Sequence, residues 1–394
     1  MKIKNIYYFL TSSRSFCIQI VFTLNAIYYV SQVGLNPLQL VLIGTIMELA
    51  ILFFEIPTGL VADFFGRKKS LVIGTFIIGV AHLLEGSFPT FWAIAVGALF
   101  WGIGWTFISG AETAWIADEL ENNELDDVFL KGAMYSSLGS FFGIIVSVLL
   151  AIIFTVQIAI LIAGGSLVLI AIISLRIVPE TKFVSIAHEE TTSFHQIQIA
   201  IKSGLTQIKG NTILFGLAAI TLFAGLASEG FDRLWGAHFI EGFQMNEEDA
   251  IYWFGAFYAI AFLLNIGLLK LVETFVKERF AIVLVFLNGL LVIAMLFFAT
   301  SEEFLLAAIL YWVIASLRTV NSPLINIMTN KQLQSQGRAT AISMYGQLDA
   351  FGQVAGGPLV GMIALYTSVQ GGIITSAILI IPTLYFLWKI RRIA

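Results

Sequence analysis

Ionisable residues lie inside several long apolar runs of this sequence, where a charge is unfavourable and therefore informative. They are Arg14, Glu48, Glu55, Glu112, Arg318 and Asp349, with Glu229, Asp232 and Arg233 near the end of the seventh run. A charged side chain at the centre of a bilayer costs at least about 2.5–3.5 kcal/mol, so it normally faces a partner or a water-filled pathway. Buried carboxylates can carry protons and guanidinium groups can hold anions, which is the chemistry of a transport pathway.

The first group of pathway candidates lies in the N-terminal half. A single helical stripe contains Trp101, Trp105, Ser109 and Glu112. It predicts two aromatic side chains on one helix face, with a carboxylate further along the same face. Arg14 lies at a similar depth in the first apolar run and shares a helical face with Asn25. We therefore predict that Arg14 is the partner of Glu112.

The second group lies in the C-terminal half. Arg318 and Asp349 fall at similar depths in the tenth and eleventh runs, and Asn321 lies close to the face of Arg318. We predict that Arg318 and Asp349 pair, and two interpretations stay open: a structural ion pair, or a proton site whose carboxylate releases its proton when the pair forms. Inward-facing Asn, Gln and Ser residues, which a sugar site would need, are predicted to be few. An aromatic pocket with one or two acids instead favours a lipophilic cationic or zwitterionic substrate.

The composition excludes several classes of protein. Hydrophobic residues make up 58% of the 394 residues and charged residues only 12%, which is inconsistent with a secreted enzyme, a nucleic-acid binder or a disordered protein. The single cysteine, Cys17, excludes an internal disulfide and a cysteine-based metal cage, and the histidines show no metal-ligand spacing. There is no phosphate-binding G-x-x-x-x-G-K-[ST] motif and no catalytic constellation. We expect neither an enzyme nor a cofactor or metal, and transport that is passive or driven by a gradient.

Long apolar runs predict an all-α membrane protein with twelve transmembrane helices in two pseudosymmetric six-helix bundles. Closed β-barrels are excluded because the runs are continuously apolar rather than alternating. The predicted spans are 6–30, 38–61, 70–88, 91–116, 133–154, 157–177, 212–236, 250–271, 280–299, 303–328, 340–365 and 370–389. The predicted domains are an N-terminal bundle at 1–178, a cytoplasmic linker at 179–210 and a C-terminal bundle at 211–394.

Basic residues predict the orientation in the membrane. Of the 21 Lys and Arg residues, all but Arg14, Arg233 and Arg318 fall on the side that holds both termini. The positive-inside rule therefore predicts cytoplasmic termini. The acidic loop between spans four and five, which includes Asp118 and Glu119, is interpreted as a solvated turn.

The loop after span two carries a family signature. It reads GLVADFFGRKKSL from Gly59 to Leu71, and it resembles the signature loop of the major facilitator superfamily. The resemblance covers these residues directly, and the twelve spans and central linker extend it to the whole chain. It implies a cytoplasmic latch between the two halves, formed by Gly59, Asp63, Gly66, Arg67 and Lys68, which Glu55 is predicted to join. Gly59 is expected to let span two pack closely against a neighbour.

Span eleven carries a second motif, GQVAGGPLVG, which includes Gly352, Gly356, Gly357, Pro358 and Gly361. It resembles the glycine-and-proline motif that drug–proton antiporters of the superfamily carry in span five. Spans five and eleven are equivalent under the family's pseudosymmetry, and we expect this motif to provide close helix packing and a bend.

The resemblance implies a secondary active transporter that works by alternating access. The first hypothesis is proton-coupled efflux of amphiphilic small molecules or drugs, and the alternative is an uptake or export carrier for a metabolite. An intramembrane enzyme has no supporting motif, and a receptor or scaffold would not need the signature loop. We expect a monomer in the cell membrane whose partners are a small-molecule substrate, protons and the lipid bilayer, without nucleic acid.

Overall fold

The computed structural model describes residues 2–120, 124–183, 206, 208–275, 279–333 and 338–392. The regular structure of these residues consists of α-helices and one π-helical segment, Tyr28–Gln32, which follows the first helix. Most of the predicted linker, at 184–205 and 207, lies outside the described residues. The helices are α1 (Ile3–Ile27), α2 (Pro37–Phe65), α3 (Arg67–Ser87), α4 (Phe91–Glu119), α5 (Leu125–Ile153), α6 (Val156–Ile177), α7 (Thr212–Gly242), α8 (Glu247–Phe275), α9 (Phe280–Thr300), α10 (Phe304–Gln332), α11 (Arg338–Tyr366) and α12 (Val369–Arg391).

Eleven of the described helices are long and apolar enough to cross a membrane. The exception is α1, whose apolar character is reduced by polar residues such as Ser12, Ser13 and Arg14. The molecule is an all-α membrane protein, and the predicted fold class is confirmed. In each unit, the helix ends that lie on the same side as its chain terminus are called the basic end below. The predicted basic loops gather at this end.

Short polar side chains begin several of these helices. Thr90, Thr155, Asn211 and Ser368 each accept a hydrogen bond from a backbone N–H in the first turn of the helix that follows. Helix α5 begins at Leu125, well before the predicted start at residue 133. Its first turn holds Asp126 and Asp127, and carboxylates at a helix N-terminus are stabilised by the helix dipole. The helix therefore extends beyond its apolar run.

The chain divides into two compact units. Unit 1 comprises Met1–Leu35, Ile46–His188 and Met245–Ala259, and unit 2 comprises Asn36–Thr45, Glu189–Gln244 and Ile260–Ala394. Within unit 1, α1 packs on α5 and α6, and α3 packs on α4 and α6. Within unit 2, α7 packs on α11 and α12, and α9 packs on α10 and α12. The same set of helix pairs thus forms the core of each unit.

Glycines make the corresponding close contacts in both units. A Cβ atom added at Gly139 or Gly143 of α5 would collide with a backbone carbonyl of α1, that of Ser12 or Phe16. A Cβ atom added at Gly352 or Gly356 of α11 would collide in the same way with the carbonyls of Leu222 and Leu226 of α7. Both helix pairs therefore need glycine, because their backbones approach too closely for a side chain.

The rest of the span-eleven motif faces another helix of unit 2. A Cβ atom at Gly357 would collide with Thr45, and one at Gly361 would lie 2.9 Å from Leu38, both in the first part of α2. Pro358 lies inside α11 between them. The predicted packing contacts of these glycines are confirmed. Among the described residues, no atom lies within 4 Å of a Cβ atom built at Gly59, and the packing role of this glycine stays a prediction.

Candidate functional site

An ion pair lies buried among the helices of unit 1. The guanidinium Nη2 of Arg14 donates to both carboxylate oxygens of Glu112 at 2.6 Å. The exposed fractions of the two side chains are 8% and 15%, so the pair has little contact with solvent. The structure thus brings together two residues that lie on α1 and α4, as the sequence predicted.

Aromatic rings lie on the same face of α4 as this pair. Trp101 and Trp105 stack with their ring centroids 5.6 Å apart and their planes 8° from parallel. Phe22 of α1 lies 5.6 Å from the ring of Trp101. The indole N–H of Trp101 is buried and has no hydrogen-bond partner among the described residues, whereas Trp105 is 37% exposed. Asn25 is half-buried on α1 and makes no side-chain hydrogen bond in the described part of the chain.

A second ion pair lies in unit 2, with a different partner from the predicted one. Arg318 of α10 binds the two carboxylate oxygens of Asp232 on α7 through both terminal nitrogens, with an Nη2–Oδ2 distance of 2.7 Å. The ring of Phe231 lies 5.4 Å from the guanidinium carbon. The predicted Arg318–Asp349 pair is therefore wrong. The similar depth of Arg318 and Asp349 along their helices did not reveal that Asp232, and not Asp349, binds Arg318.

Asp349 has an amide partner instead of a guanidinium. Gln353, one turn along α11, donates from Nε2 to Oδ2 of Asp349 at 2.9 Å. Gly225 of α7 packs against the backbone of Asp349, which leaves no room for a side chain at Gly225. This close approach of α7 and α11 holds the carboxylate at the wall of the same cavity as the Arg318–Asp232 pair.

The cavity lies wholly within unit 2 and has a volume of about 500 Å³. Most of its lining side chains that can form hydrogen bonds are amides and hydroxyls: Thr221, Ser228, Asn288, Asn321, Ser322, Asn326, Thr329, Asn330, Tyr345 and Gln353. Two of the amides bind each other, with Asn288 donating to Asn321 at 3.0 Å. A small molecule in this cavity would meet the Arg318–Asp232 pair, the separate Asp349 carboxylate and many hydrogen-bond donors and acceptors.

Sequence reasoning underestimated this polar lining. The expectation of few inward-facing amides fails in unit 2, because α10 alone contributes Asn321, Asn326 and Asn330 to the cavity. A signal was present in the sequence: Ser322, Asn326 and Asn330 recur at a spacing of four on one helical face. The signal is weak because mostly apolar residues separate these three positions, and Asn330 lies in the polar end of the helix.

The signature loop forms a cluster at the basic end of unit 1, with partners that the sequence did not indicate. Arg67 pairs with Asp118 at the end of α4 and donates to the carbonyl of Ala114 at 2.8 Å. Glu119 accepts the backbone N–H of Thr181 at 2.5 Å and its hydroxyl at 2.6 Å. The interpretation of this acidic loop as a solvated turn is therefore wrong for Asp118 and Glu119, which fix the loop and the segment after α6.

The remaining latch candidates divide into two groups. Gly66 has a φ of 111°, which favours glycine, and it lies against the Glu180 carboxylate, which accepts the backbone N–H of Lys68 at 2.9 Å. Asp63 and Glu55 make no side-chain hydrogen bond or ion pair within the described residues. The structure therefore brings Gly66, Arg67 and Lys68 into one cluster and leaves Asp63 and Glu55 outside it.

A charged pair also occurs on α7 itself. Arg233 donates from Nε to Glu229 at 3.2 Å, one helical turn away, a spacing at which side chains on a helix meet. A Cβ atom at Gly44 of α2 would collide with both side chains. Glycine at this position therefore allows α2 to pass directly over the pair inside unit 2.

The described helices, with two sets of equivalent helix pairs and charged groups among them, define a multi-pass membrane protein. The chain matches the family model of the Major Facilitator Superfamily over residues 7–357. The protein belongs to this superfamily. The match extends through both units and includes the signature loop and most of α11.

Solved structures share the fold across nearly the whole chain. The nucleoside transporter NupG aligns with a TM-score of 0.79 at 14% identity, covering 99% of each chain. A bacterial homologue of the human lysosomal transporter Spinster aligns with a TM-score of 0.77 at 13% identity, covering 100% of this chain and 98% of that one. A POT family transporter in complex with 5-aminolevulinic acid aligns with a TM-score of 0.76 at 14% identity, covering 99% and 96%.

A curated relative matches a shorter segment. It is the uncharacterized transporter BU466 of Buchnera aphidicola subsp. Acyrthosiphon pisum (strain APS), which is 30% identical over 84 residues. The matched segment spans 21% of this chain and 21% of that protein. The name of this relative describes a transporter and gives no substrate.

Proposed function

We propose that this protein is a proton-coupled secondary transporter of a small, polar metabolite, which it carries by alternating access. The observation that supports the substrate class best is the cavity of about 500 Å³ in unit 2 with its lining of amides and hydroxyls. Ligand pockets typically measure roughly 300–1,000 Å³ and orient their ligands through a few polar groups. An amide-rich wall suits a substrate with several hydrogen-bonding groups, because each unpaired polar group would be left desolvated.

The Arg318–Asp232 pair gives this substrate site its charge. The side chains are 29% and 43% exposed, so the pair is open to the cavity and not sealed in apolar packing. Arginine binds carboxylates and other oxygen acceptors through two parallel hydrogen bonds. We infer that an acidic or acceptor group of the substrate binds to Arg318 and that Asp232 holds the guanidinium in place when the substrate is absent.

The carboxylates Glu112 and Asp349 are the proposed proton sites. Glu112 is bound by Arg14 and has little exposed surface. Burial in general favours the neutral form of a carboxylate, whereas a neighbouring guanidinium favours the charged form. Alternating exposure of a carboxylate to the two sides of the membrane would change this balance and allow a proton to be carried. The absence of a nucleotide-binding motif from the sequence agrees with energy from an ion gradient.

We propose that the cluster around Arg67, which Asp118 and Glu180 bind within unit 1, is the unit 1 side of the predicted cytoplasmic latch. We place both termini in the cytoplasm and the chain in the cell membrane as a monomer. The three domains retain the proposed bounds 1–178, 179–210 and 211–394. A phosphatase fused after Ala394 should be inactive in cells if this orientation is correct, and light scattering of the purified protein tests the monomer.

The decisive experiment is counterflow in liposomes that contain the purified protein. The panel should include nucleosides, dipeptides, amino acids, sugars and lipophilic cations, each tested with and without a pH gradient and with sodium. We expect exchange of a polar metabolite that depends on Arg318 and is driven uphill only by the pH gradient. The Glu302→Gln variant, which removes an exposed carboxylate in the loop before α10, is the matched control for Asp349→Asn. Exchange restricted to lipophilic cations would contradict the proposed substrate class.

Proton-driven efflux of amphiphilic compounds is the second candidate. The stacked rings of Trp101 and Trp105 in unit 1 support it, because flat aromatic surfaces bind cationic and aromatic ligands. The packing of Gly357 and Gly361 at the span-eleven motif is compatible with an antiporter as well. Trp105→Ala separates the two candidates. Efflux is favoured if wild type transports lipophilic cations but exchanges no polar metabolite, and if Trp105→Ala loses the transport of these cations.

A further inference from the structure

A second cavity of about 260 Å³ lies at the basic end of unit 2, apart from the cavity described above. Its lining consists of Ile213, Arg279, Phe280, Ala281, Ile282, Met328, Lys331, Gln332 and Arg391. It therefore collects cations from three different chain segments: the start of α9, the end of α10 and the end of α12. Among the described residues, none that lines this cavity is acidic, and none of the three cations has a carboxylate partner.

The helix termini around this cavity add to its positive character. Residues 280–282 form the first turn of α9, and no side chain caps that turn. A helix N-terminus carries a partial positive charge and free backbone N–H groups. The Lys331 ammonium lies 4.5 Å from the ring centroid of Phe280, which holds this cation beside that turn.

Helix capping alone does not explain the arrangement. Lys331 and Arg391 lie in the last turns of α10 and α12, where a cation is favoured by the helix C-terminus. That preference does not require the two side chains to line one cavity with Arg279 and with the positive end of α9. Like charges gathered in this way repel each other, and an anion bound between them relieves that repulsion.

The surroundings of the cavity indicate where the anion comes from. Ile282, one of the lining residues, is 43% exposed, as expected for a side chain that faces lipid. Trp388 is 42% exposed and lies one turn before the end of α12, with the Arg392 guanidinium 3.6 Å from its ring. Tryptophan and arginine are enriched where helices cross the membrane interface. The cavity therefore opens at the level of lipid headgroups.

We propose that this basic cavity binds the phosphate headgroup of an anionic membrane lipid, with Arg279, Lys331 and Arg391 as its cationic ligands. Basic pockets between transmembrane helices bind such headgroups in other membrane proteins. The lipid bridges the ends of α9, α10 and α12 and neutralises their charges. This binding site is independent of the proposed transport function, which uses the other cavity.

Native mass spectrometry of the purified full chain tests the proposal. Phosphatidylglycerol, phosphatidylcholine and inorganic phosphate are titrated separately into wild type and into the variants Lys331→Gln, Arg391→Gln and Lys389→Gln. Lys389 is the matched control, since it is also an exposed cation in the last turn of α12 but does not line the cavity. We expect phosphatidylglycerol to bind about fivefold more weakly in each cavity variant and roughly 25-fold more weakly in the double variant.

The control and the conservative variant Lys331→Arg should bind phosphatidylglycerol as wild type does. Equal weakening by Lys389→Gln would show general electrostatic attraction and would overturn the site. Inorganic phosphate that binds as tightly as phosphatidylglycerol would overturn its assignment to a lipid. Thermal unfolding in phosphatidylcholine checks that the variants are folded. If a Gln variant is not folded, the comparison of Lys331→Arg with wild type still tests the site.

Discussion

The Arg14–Glu112 and Arg318–Asp232 ion pairs share the same chemistry in opposite surroundings. Arg14 and Glu112 in unit 1 are almost fully shielded, at 8% and 15% exposure, with stacked tryptophans on the same helix face. Arg318 and Asp232 in unit 2 are 29% and 43% exposed and line a cavity rich in amides. We propose from this comparison that the shielded pair serves stability and proton binding, while the open pair serves the substrate.

Removal of Arg14 should have the largest effect on stability. Arg14→Ala leaves the Glu112 carboxylate without its partner, and breaking a buried ion pair costs about 3–5 kcal/mol. The free energy of unfolding in detergent measures this loss. Arg14→Met combined with Glu112→Met should recover most of it, because no charge then remains unpaired. Equal stability of Arg14→Ala and wild type would show that the shielded pair is not structural.

Removal of the open guanidinium should affect binding more than stability. Arg318→Gln is expected to weaken binding of the transported metabolite by about 1.5–3 kcal/mol, the usual range for hydrogen bonds to a charged group. Its free energy of unfolding should change by less than about 1 kcal/mol, because partly exposed ion pairs contribute little. Isothermal titration and chemical unfolding give the two values. A large loss of stability with unchanged affinity would reverse the assigned roles.

The glycine contacts should be equally sensitive in the two units. Gly139→Ala and Gly356→Ala each place a methyl group against a backbone carbonyl, of Ser12 and of Leu226. Overpacking of this kind costs about 1–3 kcal/mol. Gly59→Ala is the control and should be neutral or slightly stabilising, since no atom lies within 4 Å of its Cβ position. Unequal losses at Gly139 and Gly356 would show that the units differ in their scaffold as well as in their chemistry.

Neutralisation of the shielded carboxylate should uncouple transport from the proton gradient. Glu112→Gln keeps the shape of the side chain but cannot release a proton, so exchange should persist while uphill accumulation is lost. A gradient of one pH unit supplies about 1.4 kcal/mol per proton, which corresponds to roughly tenfold accumulation. Uptake of the metabolite into liposomes with an imposed pH gradient measures this accumulation. Asp349→Asn is the parallel variant, and uphill uptake by both would exclude these carboxylates from coupling.

The sequence predicted elements that depend on one helix or on one repeated pattern. The apolar runs predicted the helices, and the shared depth and stripe of Arg14 and Glu112 predicted their pairing, which is confirmed. Pairing that depends on how helices turn toward each other was missed. Arg318 was assigned to Asp349 because their depths agree, whereas the rotation of α7 brings Asp232 to it.

The loop and the cavity show the same limit. Gly66 and Arg67 were recognised from the signature, but the partners of Arg67 and Lys68 lie far along the chain at Asp118 and Glu180. The polar lining of unit 2 comes from several helices, and α10 contributes the largest share of it. No single helix of that set is polar enough to predict a hydrophilic cavity.

Substrate protection of a cysteine placed in the cavity tests the central claim most directly. Asn326→Cys lines the cavity of unit 2, and Cys17→Ser removes the single native cysteine, so a maleimide has one target. The metabolite that exchanges in liposomes, at ten times its dissociation constant, should slow labelling of Asn326→Cys about tenfold. Ser87→Cys, exposed at the end of α3, should label at an unchanged rate. Undiminished labelling of Asn326→Cys at saturating metabolite would contradict a substrate site in unit 2.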